Sequence, residues 1–315
     1  PDRFANFNYE PMAAASIGQV HRAETLKGED IVLKIQYPGV RGSINSDIDN
    51  VATLLRMSGQ IPEGFDMAPL LAGAKLQLHD EANYLTEARF LRDFGTALAN
   101  DKRFVVPKLI ESLTTDSILA MSYVGGDPIE SIVSLPQEER DRVMTALIEL
   151  MLQELFVFRM MQTDPNFANY LYQPETGNIV LLDFGATRHF KADFVRHYRD
   201  LIKAMIAHDD AGILLAAKRV GYFITDDNHA YRQLLLDMFK LVGELFASTE
   251  PYGFKESKLS ARLAEKSLAM QAYREEWKAP PLDAIFFHRK LAGVFLLASR
   301  VDARVQMRVL LDRFL

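Results

Sequence analysis

The chain has 315 residues, of which 49% are hydrophobic and 25% charged, and it contains no cysteine. These fractions exclude collagen-like, disordered and disulfide-stapled classes, and the missing thiols exclude thiolate zinc sites and cysteine nucleophiles. A net charge of −6 argues against a nucleic-acid binder held by a basic surface.

At roughly 150 residues per domain the length predicts two domains or lobes. No stretch reaches the roughly 18–20 uninterrupted apolar residues of a spanning helix. The richest, Leu147 to Met161, is broken by Glu149, Gln153, Glu154 and Arg159, and Ala292–Ala298 is too short. The start shows no signal-peptide pattern, and the seven histidines show no metal-ligand spacing. The expectation is a soluble or peripherally attached globular protein.

β-prone runs open the chain at Phe4–Pro11, Gln19–Thr25 and Ile31–Gln36. Between the last two, Lys27-Gly28-Glu29-Asp30 reads as a hairpin turn. Helices are predicted over 44–58 and 68–98, with a break at Pro62-Glu63-Gly64. Strands follow at Val105–Ser112 and Ser117–Tyr123, the second ending at Gly125-Gly126. Pro136 to Met161 reads as one long helix, apolar nearly all round and therefore buried. Leu171 and Ile179–Leu182 flank a Pro-Glu-Thr-Gly turn. After Lys191 the pattern is helical, broken near Asp209, Gly221, Glu250–Gly253 and Pro280-Pro281. Strands early and helices late predict an α+β fold of two lobes, 1–124 and 125–315.

In LLDFGATR, Asp183-Phe184-Gly185 follows a short apolar strand. A carboxylate at a strand end beside glycine suits a Mg²⁺ held against phosphates. Taken alone, the tripeptide also fits an ordinary polar turn. Upstream, QTDPNFAN places Asp164 five positions before Asn169, the Asp-to-Asn spacing of the kinase catalytic loop. That spacing lets a carboxylate face the attacking oxygen while an amide oxygen turns to a metal. Lys34, inside the apolar strand IVLKIQ, matches the kinase strand lysine that contacts the α- and β-phosphates. A lysine there otherwise snorkels or lies on an exposed face.

AAASIGQV stands where the kinase glycine-rich loop would be, with Ala13 and Ala15 at the first two glycine positions and Gly18 at the third. Each alanine disfavours positive φ, so the loop should approach phosphates differently. The helix around LQLHDEANYLTEARFL offers two carboxylates, Glu81 and Glu87, which are six apart and cannot share one narrow face. Glu81 is expected to pair with Lys34, with Glu87 a secondary polar site. The long interval from Lys34 to Glu81 implies an inserted helix at about Ile44–Ser58.

AAASIGQV, VLKIQYPGV followed by SINSDI, QTDPNFANYLY and LLDFGATR together resemble the UbiB-type (aarF-domain) atypical kinases. The coenzyme Q-supporting subgroup is the nearest in form, because the chain carries QTDPN rather than HADPHPGN. The resemblance covers nearly the whole chain, including the late FHRKLAGVFLLASR segment. It implies a bilobal protein-kinase-like fold, with a small β-rich N-lobe holding the inserted helix and a large helical C-lobe. It also implies ATP or ADP with Mg²⁺ as cofactors, and an ATPase supporting ubiquinone biosynthesis.

Carried over by motif, Ala13, Ala14, Ala15, Ser16, Gly18 and Gln19 form the alanine-rich nucleotide loop. Lys34 binds phosphate, Glu81 pairs with it, and Asp164 takes the catalytic-base position. Asn169 and Asp183 hold metal, and backbone from Met121 to Val124 contacts adenine. The family carries a helical N-terminal extension with a K-x-G-Q motif; this chain has no K-x-G-Q, so autoinhibition by that extension is not assumed.

The residues themselves argue against a conventional protein kinase. After Asp183-Phe184-Gly185 the chain runs straight into a helix, with no A-P-E and little room for a peptide-docking segment. Position 162 is glutamine, so the H-R-D histidine is absent. The first reading is an ATPase without protein substrates, or a small-molecule or lipid-linked phosphotransferase. The second is a nucleotide-switched pseudokinase scaffold for a lipid-biosynthesis complex. Expected partners are nucleotide, quinone-precursor lipids, a membrane surface and ubiquinone-biosynthesis proteins, and no nucleic acid.

Near the C-terminus, Ile285, Phe286, Leu291, Phe295 and Leu296 offer a lipid-facing stripe, with Arg289, Lys290 and Arg300 near head groups. Packing inside the larger lobe is the expected role of this stripe. The cytoplasmic side of a bacterial inner membrane is the expected location, with the mitochondrial matrix face as the alternative.

Overall fold

The computed structural model describes residues 3–15, 17–57, 67–223, 229–269 and 280–315. Four strands open the chain: β1 (Phe4–Phe7), β2 (Ala13–Ala15), β3 (Gly18–Thr25) and β4 (Asp30–Gln36). Three helices follow, α1 (Val40–Met57), α2 (Ala68–Glu81) and α3 (Tyr84–Ala97), then β5 (Phe104–Val105), β6 (Ile118–Ser122) and β7 (Asp127–Pro128). Next come α4 (Gln137–Gln153), β8 (Met160–Gln162), β9 (Tyr170–Gln173), β10 (Asn178–Leu181) and β11 (Thr187–His189). The remainder is mostly helical: α5 (Ala192–Ile206), α6 (Asp210–Val220), α7 (His229–Gly243), β12 (Tyr252–Gly253), α8 (Leu259–Ala269), α9 (Leu282–Arg300), β13 (Arg304–Val305) and α10 (Met307–Leu311).

These elements form two compact units. The first comprises residues 1–127 and 169–187, the second 128–168 and 188–315. A single cut at Gly125 therefore does not describe the chain: the hairpin β9–β10 and Asp183-Phe184-Gly185 group with the strand-rich unit. The reason is pairing, because β10 runs parallel to β5 and antiparallel to β9 in a four-stranded sheet.

The first unit is organised by the sheet β1-β3-β4-β6, with β2 added on β3. Alternation along β3 turns His21, Ala23 and Thr25 inward and Arg22 and Glu24 outward. Ala23, Ile31, Leu33 and Ala120 form the sheet core, covered by Phe4, Phe7 and Ile118. The β3–β4 turn closes as expected, with Gly28 at φ +78° donating its N–H to Thr25 O at 2.9 Å. The inserted helix is α1. Ile44, Ile48 and Ala52 recur every four residues and put one buried stripe on it; Ile44 and Ile48 pack with Leu71, Leu78 and Ala82. Ser58 and the Pro62-Glu63-Gly64 break lie outside the described residues.

Two expected elements are divided. The helix predicted over 68–98 breaks at Ala82-Asn83. Asn83 is extended (φ −113°, ψ 96°), and its Oδ1 accepts the Leu85 N–H at 3.2 Å, starting α3 afresh. The strand predicted at Val105–Ser112 is only the short β5, followed by a 3₁₀ turn at Glu111–Leu113. Pro107, just beyond β5, has no N–H to extend a ladder.

In the second unit, α4 buries Val143, Met144, Ala146 and Leu147 together with Ile148, Leu150, Met151 and Leu152, nearly all round as predicted. It stops earlier than expected. A π-type turn at Glu154–Phe158 and a left-handed Arg159 (φ 51°) end it, and β8 begins at Met160. Asp209 caps α6 by accepting the Gly212 N–H, and Gly221 (φ 106°) closes that helix, both at predicted breaks.

Candidate nucleotide site

The sheet places Lys34 in β4 opposite Val20 of β3 and Leu119 of β6. Its Nζ donates to Glu87 Oε1 at 2.5 Å and to Asp183 Oδ2 at 2.7 Å. The side chains of Lys34 and Glu87 are 8% and 4% exposed, while that of Asp183 is 34% exposed. The helix carboxylate that meets Lys34 is thus Glu87, for which the sequence predicts only a secondary role. The break at Asn83 is the physical reason, because it puts Glu87 in the first turn of a new helix. Glu81 ends α2, and its side chain lies outside the described residues. The signal that identifies Glu87 in the sequence is the capping Asn83 before it.

Burial works against the charge on Lys34, but the facing Asp183 and Glu87 carboxylates overcome it and hold the ammonium well above its ordinary range. Burial drives Glu87 up to about 7, and the charge of Asp183 adds to that rise against the pull of Lys34. Asp183 goes the other way. Burial alone would raise its carboxyl, but Lys34 and the Gly185 N–H hold it below the usual range. The two carboxylates are therefore unequal, with Asp183 the one kept ionised.

Asp183 Oδ1 accepts the Gly185 N–H at 2.9 Å, which fixes the carboxylate within its turn. Phe184 packs on Phe94 of α3 with ring centroids 4.9 Å apart. Asn169 is buried, and its carbonyl accepts the Leu182 N–H at 3.0 Å, tying it to the strand end that carries Asp183. Asn169 and Asp183 offer amide and carboxylate oxygens, a hard donor set that suits Mg²⁺. Among the described residues no cluster of three or more His, Cys, Asp or Glu could hold a metal by itself. The donor set thus fits an ion that takes one or two protein oxygens and completes its shell with phosphates and water.

Of the alanine-rich loop, Ala13, Ala14 and Ala15 form β2, paired with Val20, Gln19 and Gly18; Ser16 lies outside the described residues. Gly18 has a packing role of its own, since a Cβ there would overlap the backbone carbonyl of Ile35. Met121 is buried in β6 opposite Val32. Beyond it, the Ser122 and Tyr123 N–H groups are committed to Lys108 O (2.8 Å) and Asp30 O (2.9 Å), and Val124 is half-buried.

The remaining predicted residue, Asp164, belongs to the second unit. There its Oδ1 accepts from Arg289 Nη2 of α9 at 3.0 Å. The neighbouring Lys290 is 3% exposed and lies 3.5 Å from the buried Glu154, so it does not face head groups as the lipid-facing stripe would require. Phe286 is buried beneath the Arg188 guanidinium, while Leu296 of the same stripe is exposed. The contacts of Arg289, Lys290 and Glu154 with this segment are not foreseen from the sequence, because helical periodicity reports burial but not the loop a side chain reaches.

A family model described as the ABC1 atypical kinase-like domain matches residues 1–217. The mitochondrial atypical kinase COQ8B of Rattus norvegicus is 37% identical over 307 residues, covering 98% of this chain and 58% of that protein. The mitochondrial atypical kinase COQ8 of Saccharomyces cerevisiae is 37% identical over 305 residues, covering 96% of this chain and 60% of that protein. The chain thus spans a little over half the length of these curated relatives. The solved structure of Rv3197 with erythromycin, from Mycobacterium tuberculosis, has a TM-score of 0.79 at 22% identity, covering 99% of this chain and 78% of that one. That likeness shows a shared fold. With a β-rich unit built around a strand lysine and a helical unit, the chain has a kinase-like fold and belongs to the ABC1 atypical kinase-like family.

Proposed function

We propose that the protein binds ATP with Mg²⁺ and hydrolyses it, without protein substrates, in support of ubiquinone biosynthesis. The observation that carries this reading is the buried Lys34 held between Glu87 and Asp183. Burying a lysine is costly unless it is paired. Pairing it with an ionised carboxylate that is itself one-third exposed sets a solvent-facing anion against the buried cation. Lys34 would contact the α- and β-phosphates, and Glu87 would hold it in place. Asp183 and Asn169 would hold Mg²⁺, which when bound neutralises charge developing in phosphoryl transfer. Asp164 would orient the attacking oxygen. Ala13–Gln19 would cover the phosphates, and backbone between Met121 and Val124 would contact adenine.

The ubiquinone role rests on the resemblance of QTDPNFANYLY and LLDFGATR to the coenzyme Q-supporting kinases and on COQ8-named relatives. Those relatives are named as mitochondrial, which favours the mitochondrial matrix face over a bacterial inner membrane as the location. Among the described residues no helix is long and apolar enough to cross a membrane.

The test is phosphate release from Mg·ATP, with and without liposomes and a phenolic quinone precursor. Turnover raised by lipid or phenol supports the reading, and turnover indifferent to both contradicts the membrane-coupled role. A nucleotide-switched scaffold is the second reading; binding without any turnover would favour it.

A further inference from the structure

Two consecutive residues of α9 reach one short loop, and both lie beyond residues 1–217 matched by the family model. Arg289 Nη2 donates to Asp164 Oδ1 at 3.0 Å. Lys290 Nζ donates to Gln162 Oε1 at 3.4 Å and lies 3.5 Å from Glu154 Oε2, all three side chains buried. One turn along the same helix, Gly293 is pressed against Pro165, where a Cβ would overlap Pro165 Cβ and lie 3.0 Å from its Cα. Helix α9 therefore touches the loop at positions 162, 164 and 165, through an ion pair, a buried hydrogen bond and a close backbone approach.

The loop's composition shows why such support is needed. From Met160 to Asn169 it contains no lysine or arginine. A carboxylate working beside nucleotide phosphates is repelled by them, and a cation at contact distance weakens that repulsion and fixes the carboxylate's direction. Lys290 is suited to a different task. It is enclosed with Glu154, so its charge is neutralised inside the unit and its role is to seat Gln162. Arg289 is 43% exposed, and its charge stands beside Asp164 rather than inside the core.

We propose that Arg289 is a positioning residue for the Asp164 carboxylate, and that α9, with Lys290 and Gly293 seating the loop, is part of the catalytic apparatus. The proposal rests on the reading of Asp164 as the catalytic carboxylate, and its test separates the two.

The experiment measures Mg·ATP hydrolysis by the full chain, affinity for a fluorescent ATP analogue, and melting temperature, for R289Q, R289K, D164N and the double variant D164N/R289Q. Arg289 is exposed enough for both of its variants to fold. Misplacing a catalytic group by about 1 Å costs about 100-fold, so R289Q should lower kcat by about tenfold or more with analogue affinity unchanged. R289K should keep more turnover than R289Q. D164N should lose about 100-fold or more, and adding R289Q to it should cost nothing further, because the arginine acts through the aspartate. R289Q at the wild-type rate beside an inactive D164N, losses that multiply in the double variant, or R289K no better than R289Q would each overturn the proposal while leaving Asp164 catalytic. Full turnover by D164N, or none by the unaltered chain, would instead overturn the reading of Asp164, and the role of Arg289 with it.

Discussion

Lys34 Nζ lies 2.5 Å from Glu87 Oε1, joining a strand and a helix that are 53 residues apart in the chain. Both side chains are almost fully enclosed, so each charge depends on the other. Removing one partner of such a pair costs about 3–5 kcal/mol, with the cost here lessened by Asp183, which still faces Lys34. Glu87→Ala should therefore destabilise the fold by about 2–3 kcal/mol, read as a lower urea midpoint. An unchanged midpoint would show that Asp183 alone satisfies the lysine.

Phe94 and Phe184 pack at 4.9 Å between centroids, both nearly inaccessible. Truncating a buried phenylalanine costs about 3–5 kcal/mol. Phe94→Ala should lose stability on that scale and also weaken nucleotide binding, because Phe184 is the neighbour of Asp183. Weakened stability with unaltered nucleotide affinity would detach the ring pair from the site.

Gly18 and Gly42 make opposite predictions for one added methyl. At Gly18 a Cβ would overlap the Ile35 carbonyl, while at Gly42 in α1 nothing lies within 4 Å. Gly18→Ala should cost about 1–3 kcal/mol through overpacking, and Gly42→Ala should gain up to about 1 kcal/mol from helix propensity. Equal melting temperatures for the two variants would refute the close approach of β3 to β4.

His288 supplies a pH test. Burial pushes its imidazole down to about 4, and Nε2 lies 2.8 Å from both the Tyr198 and Tyr222 hydroxyls. The unfolded chain takes up this proton near pH 6.5, the folded chain only near pH 4. The resulting stability is fully present above pH 6.5 and is lost as pH falls towards 4. Glu87 opposes it: with a folded value near 7 against 4.5, it favours the folded state at the acid end of its own window. The difference between the wild type and His288→Gln isolates the histidine. Urea midpoints between pH 4 and 7 should fall less steeply for the variant as pH drops, and parallel curves would contradict a neutral buried imidazole.

What the sequence revealed about the site depends on how local each signal is. Lys34 in an apolar strand, the Asp164-to-Asn169 spacing and Asp183-Phe184-Gly185 are short patterns, while the direct contact of Lys34 with Asp183 is a tertiary fact that is not foreseen from the sequence. The contact of Glu87 with Lys34 is hard to read because one residue, Asn83, splits a continuous helical pattern, so the apolar period runs on through a break that only the cap announces. α4 was overextended for a similar reason, since a π-type turn keeps residues buried while the backbone leaves the α-helix. Arg289 and Lys290 were illegible: whether a helix cation meets solvent, lipid or a distant loop is decided by tertiary packing, not by its neighbours in sequence.

The most direct test compares Mg·ATP hydrolysis by the wild type and Asp183→Asn. The substitution keeps the side chain's shape but removes the charge that faces Lys34 and would hold the metal. The arrangement described here predicts that phosphate release is abolished in the variant while the fold is retained. Hydrolysis at the full wild-type rate would contradict it.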